Sequence, residues 1–432
     1  MDPLRTPYHK TAKPLPACYP DSVKVSKVCG FLAFLGIAAA QDPAALIQDA
    51  TVKAALEAAQ RNEPHFLEEQ VRVCQIPAPP FKEEVRGKEL ERLFRQLGLD
   101  QVHIDKVGNV IGTRRGAAPR PNLVFAAHLD TVFPEGTDVQ VTRDGTRLKG
   151  PGIGDDCRGL AVMLGVIKAL DDGQVRTPGT ITFVADVGEE GLGDLRGVKN
   201  LFHEELKGQI DKFISVDGTG LSLTNVGVGS YRYRVTFKGP GGHSFGAFGM
   251  ANPIQAMGRA IAKIDAFDVP VTPKTTFNVG RVGGGTSVNA IPFEAWMEVD
   301  MRSSDKISLE ALHAKFKTAM REAVEEENRR WPGRATVTVA PELVGVRPPG
   351  QTSADSAIAI TASAVTKLFG GDGRPGEGST DANVPMNLGI PALTIGGGGQ
   401  GTGAHSLNEA FDTTDSWRGT QRALLLAVAL AR

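Results

Sequence analysis

Cysteine, long apolar stretches and net charge are all scarce in this chain of 432 residues. Of its four cysteines only Cys74 and Cys157 lie beyond residue 43, which excludes a framework of disulfides. Lys and Arg number 48 against 49 Asp and Glu, so no excess positive charge favours nucleic acid or an anionic membrane as a partner. A chain of this size is expected to bury its own core and to form more than one domain.

The first 43 residues have the composition of a leader. Two lysines precede an apolar run, Val28–Ala40, and small residues precede Gln41, which is the pattern of a secretory signal peptide cleaved after Ala40. The run is too short for a permanent membrane span. Residues 1–22 fit no signal pattern and are interpreted as an upstream extension. We expect export to the periplasm or medium; the alternative is a cytoplasmic protein with an apolar tail.

The order of the predicted elements indicates two kinds of domain. Apolar strands alternate with helices over residues 44–228 and again over 346–432, which predicts an α/β fold with a mainly parallel sheet covered by helices. Residues 229–345 instead follow the order β-α-β-β-α-β, with polar and apolar residues alternating in the first strand, as in a ferredoxin-like α+β domain. The sequence therefore predicts a larger domain interrupted by an inserted one.

Side chains that can bind a metal follow several predicted strands directly. Each has a plain explanation when taken alone, such as a structural histidine, a solvated turn or a helix cap. The carboxyl ends of parallel strands meet at one edge of a sheet, so together these side chains predict a ligand site there. They are His128 and Asp130, Glu189 and Glu190, Asp217 and His405, with Asp155 and Asp156 in a turn before a helix.

Two imidazoles with several carboxylates suit zinc, with cobalt or manganese as substitutes. Two ions joined by a bridging carboxylate would lower the pKa of a shared water and polarise a carbonyl group. A remaining carboxylate would then carry the proton to the leaving amine. Asp130, two residues after His128, is positioned to orient that imidazole. This chemistry predicts hydrolysis of amide bonds.

The segments HLDTV, GPGIGDD, GEEG, SVD and GAHS resemble those of the co-catalytic zinc exopeptidases and deacylases. That family includes peptidase T, bacterial dipeptidases, carboxypeptidase G, aminoacylase and acetylornithine deacetylase, and the resemblance runs in order from about Ala44 to the end. It implies two zinc ions per subunit, one held by His128 and Asp217 and the other by Glu190 and His405, with Asp155 as the bridge. It also implies that the Asp155–Asp156 peptide is cis.

The same resemblance implies the remaining roles. Glu189 would be the general base and Asp130 the partner of His128. In the inserted domain, which forms a homodimer in such enzymes, His243 would reach the neighbouring active site and stabilise an oxyanion. Asn289 and Arg302 match positions that bind the substrate carboxylate, and a guanidinium fits two carboxylate oxygens well. Without the resemblance, Arg302 would be interpreted as a surface charge.

Two positions depart from the family pattern. Cys157 stands where relatives commonly have lysine or another polar residue, and we interpret it as a packing variant. Asp217 is an aspartate, as in aminopeptidase-like and dipeptidase members, whereas carboxypeptidases and deacylases usually have glutamate. The aspartate favours a di- or tripeptide substrate over an N-acyl amino acid.

Two other functional classes compete with this interpretation. Gly242–Gly246 fits G-x-S-x-G, and Ser244, Asp381 and His405 follow the chain order of a serine-hydrolase triad. That motif requires a buried strand leading directly into a helix, and here glycines intervene. The second alternative is a binding protein that keeps the fold without catalysis, yet no expected ligand or base is missing from the sequence.

Overall fold

A computed structural model describes residues 43–432 of the chain. The predicted signal peptide and its cleavage after Ala40 lie outside these residues. Within them, no helix combines the length and the apolar character that a membrane crossing requires.

The helices are α1 Pro43–Leu46, α2 Ala50–Cys74, α3 Glu84–Gln96, α4 Cys157–Asp172, α5 Arg196–Asn200, α6 Pro253–Asp265, α7 Lys306–Arg330, α8 Ala357–Leu368, α9 Asn383–Asn387 and α10 Trp417–Leu430. The strands are β1 Asp100–Ile104, β2 Val110–Arg114, β3 Asn122–His128, β4 Thr142–Asp144, β5 Arg147–Lys149, β6 Thr180–Asp186, β7 Lys212–Val216, β8 Leu223–Gly227, β9 Gly229–Lys238, β10 Gly242–His243, β11 Thr275–Gly284, β12 Ala290–Ile291, β13 Glu294–Ser303, β14 Thr338–Arg347, β15 Gly350–Gln351, β16 Gly376–Gly378, β17 Ala392–Ile395, β18 Gln400–Thr402 and β19 Ala410–Asp412.

The large sheet has the strand order β1-β2-β6-β3-β7-β17-β8-β15, with β16 also paired to β8. Its centre, β6-β3-β7-β17, is parallel. Every residue of β3 and β6 is buried, because helices cover both faces. Leu123 and Phe125 pack with α2, α4 and α10, while Val124 packs on the other face with Val198 and Phe202. The predicted α/β fold with a mainly parallel sheet is confirmed.

The second main sheet is antiparallel throughout, in the order β11-β13-β9-β14. With α6 and α7 it follows the predicted order β-α-β-β-α-β. Residues of β13 alternate between buried and half-buried because only one face meets the helices. The helix-facing residues form a separate core. The small unit begins with β9 at Gly229, and β14 continues past residue 345 to Arg347; the exact domain boundaries stay predictions.

A third sheet has the strand order β18-β19-β5-β4. It carries the segments that flank two predicted ligands. Gly150–Asp156 follows β5, and His405 lies between β18 and β19. The Gly150 amide donates to the Glu409 carbonyl, so the two segments are joined.

Candidate metal centre

The predicted ligands converge at the carboxyl edge of the large sheet. Three groups of side chains have ligand atoms within 4.8 Å of one another. The groups are His128 with Asp155 and Asp217, His128 with Glu189 and Glu190, and Asp155 with Glu190 and His405. We call these six residues the acidic cluster. Segments from β3, β6 and β7, the turn before α4 and the loop after β18 thus meet at one place.

Asp155 lies between the two imidazoles. Its Oδ1 is 3.1 Å from His128 Nε2, and its Oδ2 is 3.0 Å from His405 Nε2. His405 Nε2 is also 2.9 Å from Glu190 Oε1. The peptide that joins Asp155 to Asp156 is cis, as the resemblance implies. One carboxylate therefore faces both halves of the cluster, which is the geometry of a bridging ligand.

Local hydrogen bonds explain the position of the Asp155 turn. The Asp156 carboxylate caps α4 by accepting the Gly159 amide at 2.9 Å and also accepts the His128 amide at 3.1 Å. The buried carboxylate of Glu409 accepts the amides of Gly152, Gly154 and Asp155 at 2.8–3.0 Å. The turn is thus fixed by two carboxylates that do not belong to the cluster.

Asp130 is buried beside His128, but its two oxygen-bearing groups act separately. His128 Nδ1 lies 3.0 Å from the Asp130 backbone carbonyl and 3.7 Å from its carboxylate. The carboxylate accepts the amides of Glu189 and Glu190 at 3.0 and 2.9 Å. Asp130 therefore orients the imidazole mainly through its main chain and fixes the following acidic loop through its side chain.

The crowding of buried carboxylates alters their protonation. Burial raises the pKa of Asp217 to about 7, and the charge of Asp155 acts in the same direction. Burial raises the pKa of Glu189 to about 8 against the opposing effect of Arg347. The carboxylates of Asp155 and Glu190 raise the pKa of His405 to about 10. The cluster thus holds excess negative charge that protons or cations must neutralise.

The predicted substrate-binding residues lie elsewhere, in the small unit. His243 is exposed, and its Nδ1 accepts the amides of Phe245 and Gly246. Asn289 is exposed and accepts from the Ser287 hydroxyl. Arg302 is half-buried and donates to Asp300 at 2.7 Å. Across residues 43–432, no hydrogen bond or ion pair joins these three residues to the acidic cluster.

The residues of the alternative serine triad are not assembled. Ser244 is bonded through its amide to the Asn289 carbonyl. Asp381 is buried against Asp186, and His405 contacts Asp155 and Glu190. Among the described residues, no hydrogen bond connects Ser244 with either intended partner.

Comparison with known proteins agrees with this geometry. Residues 124–429 match peptidase family M20/M25/M40. The chain belongs to this family. It is therefore a metal-dependent hydrolase, which confirms the resemblance and favours it over the two competing classes.

Individual relatives show how far the similarity of this M20/M25/M40 chain to known proteins extends. The chain is 29% identical over 358 residues to YqjE of Bacillus subtilis (strain 168), covering 77% of this chain and 90% of that protein. It is 27% identical over 319 residues to carboxypeptidase G2 of Pseudomonas sp. (strain RS-16), covering 71% and 74% respectively. A crystal structure of a tripeptidase from Staphylococcus aureus shares the fold, with a TM-score of 0.71 at 22% identity over 86% of this chain and 99% of that one.

Sequence reasoning missed two residues that contact this site in the M20-family chain. Glu409 supports the Asp155 turn, and Arg347 is an almost fully buried partner of Glu189. Glu409 follows His405 by four residues, and Arg347 is the last residue of β14. Neither position is distinguished in the sequence, because each depends on a contact between distant segments.

Proposed function

We propose that this M20-family hydrolase cleaves the amide bonds of di- and tripeptides at a centre of two zinc ions. The observation that carries the proposal is the position of Asp155, whose two oxygens lie 3.1 and 3.0 Å from the Nε2 atoms of His128 and His405. A carboxylate placed between two imidazoles divides the cluster into two ligand sets that share it.

The donor set fits zinc. Each half offers one imidazole nitrogen and carboxylate oxygens, which are the ligands that zinc takes in catalytic sites. His128 and Asp217 would hold one ion, and Glu190 and His405 would hold the other. Cobalt and manganese accept the same donors. When bound, such ions lower the pKa of a shared water molecule and polarise the scissile carbonyl.

Glu189 is the carboxylate of the acidic cluster that is not a proposed metal ligand, and it is the proposed proton carrier. Its carboxylate is buried and lies within 4.8 Å of ligand atoms of His128 and Glu190, yet the proposed ion sites do not require it. In this role a carboxylate oxygen of Glu189 accepts the proton from water and delivers it to the nitrogen of the leaving amine. Asp130 supports both neighbours by fixing the His128 ring and the amides of the Glu189 loop.

Substrate binding is proposed for the small unit. Arg302 offers a guanidinium for a carboxylate of the substrate, Asn289 offers an amide, and His243 offers an imidazole for the developing oxyanion. Aspartate at position 217 supports peptides with a free N-terminus. Similarity to carboxypeptidase G2 supports the second candidate on the same site, a carboxypeptidase or N-acyl amino acid deacylase.

A substrate panel tests the proposal. Purified protein would be assayed with free di- and tripeptides and with N-acetyl amino acids, before and after removal of metal with a chelator. We expect hydrolysis of the free peptides, its loss with the metal and its return with zinc or cobalt. Preference for N-acetyl amino acids would select the second candidate. Activity indifferent to the chelator would overturn the metal centre.

Assembly and location are further parts of the proposal. We propose a homodimer formed through the small unit, supported by β11, which is an edge strand of its sheet. Light scattering of the purified protein would measure the mass directly. We propose export on the basis of residues 23–41, and N-terminal sequencing of the cellular protein would show whether cleavage follows Ala40.

A further inference from the structure

Arg347 joins the small unit to the loop that carries Glu189. It ends β14, and its side chain is only 4% exposed. Nη1 donates to Glu189 Oε1 at 2.8 Å, and Nη2 donates to the backbone carbonyl of Glu189. The same guanidinium therefore contacts both the side chain and the main chain of one residue.

We propose that Arg347 is a positioning residue that fixes the carboxylate and the backbone of Glu189 relative to the acidic cluster. This inference rests on the proposed role of Glu189 as the proton carrier. A buried glutamate has several rotamers available to it, and a guanidinium that bonds both its carboxylate and its backbone carbonyl favours the rotamer in which both bonds form. Ser379 completes the arrangement, since its Oγ accepts from Nη1 at 3.2 Å.

Contacts around Arg347 show that the whole loop is held from the same side. Arg232 on β9 donates to the carbonyl of Gly191. The Val346 amide donates to Asp194 Oδ1 at 2.7 Å, and Lys199 Nζ donates to the Val346 carbonyl at 2.8 Å. Strands β9 and β14 of the small unit thus hold residues 189–194 of the large one. We call these contacts, together with the two hydrogen bonds from Arg347 to Glu189, the loop anchor.

The backbone of the loop requires such support. Asp194 and Leu195 both have φ of 57°, in the left-handed region that side chains with a Cβ rarely adopt. Conformations of this kind persist only where surrounding contacts enforce them. Arg347 donates to the Glu189 carboxylate itself, whereas Arg232 donates to the loop only at the backbone carbonyl of Gly191 and bonds Asp300 of β13 through its Nε.

The test compares two arginines of the loop anchor. Arg347→Met removes the contact with the carboxylate, Arg347→Lys keeps the charge but not the paired geometry, and Arg232→Met is the matched control. Kinetics would be measured with the preferred peptide of the panel, metal content by plasma mass spectrometry, and amide hydrogen exchange over residues 188–195.

We expect Arg347→Met to lower kcat about 100-fold, since a displacement of about 1 Å at a reacting group has that effect. KM should stay within about threefold, because the contact is with the enzyme and not with the substrate. Metal content should be unchanged, and exchange over 188–195 should be faster. Arg347→Lys should lie between Arg347→Met and wild type, and Arg232→Met should lower kcat less than Arg347→Lys does.

Three results would overturn the inference: an unchanged kcat, an effect confined to KM, which would make Arg347 a substrate-binding residue, or unchanged exchange over 188–195. If Arg347→Met does not fold, Arg347→Lys against Arg232→Met decides. If wild-type protein hydrolyses nothing in the panel, the proposed function fails, and the exchange data still decide whether Arg347 holds the loop more firmly than Arg232 does.

Discussion

The acidic cluster and the corner formed by His243 and Asn289 are built in opposite ways. In the cluster, His128 is 1% exposed and is bonded through its amide and both ring nitrogens. In the corner, which we call the exposed corner, both side chains lie open to solvent. Their hydrogen bonds reach only residues two or three positions away.

The difference shows what fixes the positions of the side chains in each region. Side chains at the ends of buried strands are placed by the folding of the core, before any ligand arrives. Exposed side chains that bond only near neighbours have no such support, and contact with a substrate or a second subunit must supply it. Substitutions in the cluster should therefore alter chemistry or metal affinity, whereas those in the exposed corner should alter catalysis without altering metal or stability.

The largest effect is expected from Glu189→Gln in the acidic cluster. The amide cannot accept the proton, so kcat should fall about 10²- to 10⁴-fold, the usual contribution of general acid–base catalysis. Bound metal should persist, because the proposed ligand sets do not include Glu189. Steady-state kinetics with metal analysis would check this. Retained activity would remove Glu189 from the mechanism.

His243→Ala tests the other side of the comparison. If the imidazole stabilises an oxyanion, kcat should fall about 100-fold, as loss of one such donor does elsewhere. Thermal stability and metal content should match those of wild type, because the side chain is exposed. A variant that loses metal together with activity would show that the two regions are not separate.

Glu409→Gln should weaken the cluster without removing a ligand. The carboxylate accepts three amides of the Asp155 turn, and an amide side chain cannot replace all of them. Metal affinity should fall about 10- to 100-fold, which is typical of groups that orient a ligand. Competition with a chelating dye would measure it, and Glu377→Gln, an exposed glutamate on β16, is the control. Equal affinities in the two variants would contradict the proposed support.

The smallest effect concerns pH and the metal-free protein. The pKa of Asp217 and that of Glu189 are raised in the folded state to about 7 and about 8. At pH values between the ordinary and the raised pKa values, the folded state binds more protons than the unfolded state does. The free energy of unfolding therefore decreases as pH rises through this range. Urea unfolding with chelator present should give a lower free energy at pH 8 than at pH 5.

The matched variant for the pH experiment is Asp217→Asn, which removes one of the raised carboxyl groups. Its stability should depend less on pH across the same range. Zinc should also flatten the dependence in wild-type protein, since a cation replaces the protons. A metal-free protein that is more stable at pH 8 than at pH 5 would contradict the raised pKa values of Asp217 and Glu189.

Much of the acidic cluster could be predicted because most of its residues follow strands that can be recognised in the sequence. The buried run that ends at His128 marks a central strand, and strand ends converge wherever the sheet is parallel. Arg347 could not be found in this way. Its strand alternates like any half-exposed strand, and its importance comes from the meeting of β14 with a loop more than a hundred residues away in the chain. Glu409 is similar, because the amides that it accepts precede it by more than two hundred residues.

The strands that begin and end the small unit are neighbours in one sheet. β9 and β14 are paired, with Ser230 opposite Arg347, so the chain leaves the large sheet and returns to it at nearly the same point. A segment whose two ends are adjacent can be lengthened, shortened or exchanged without disrupting the domain into which it is inserted. The small unit can therefore change in size and surface while the five proposed ligand residues keep their positions in the large one.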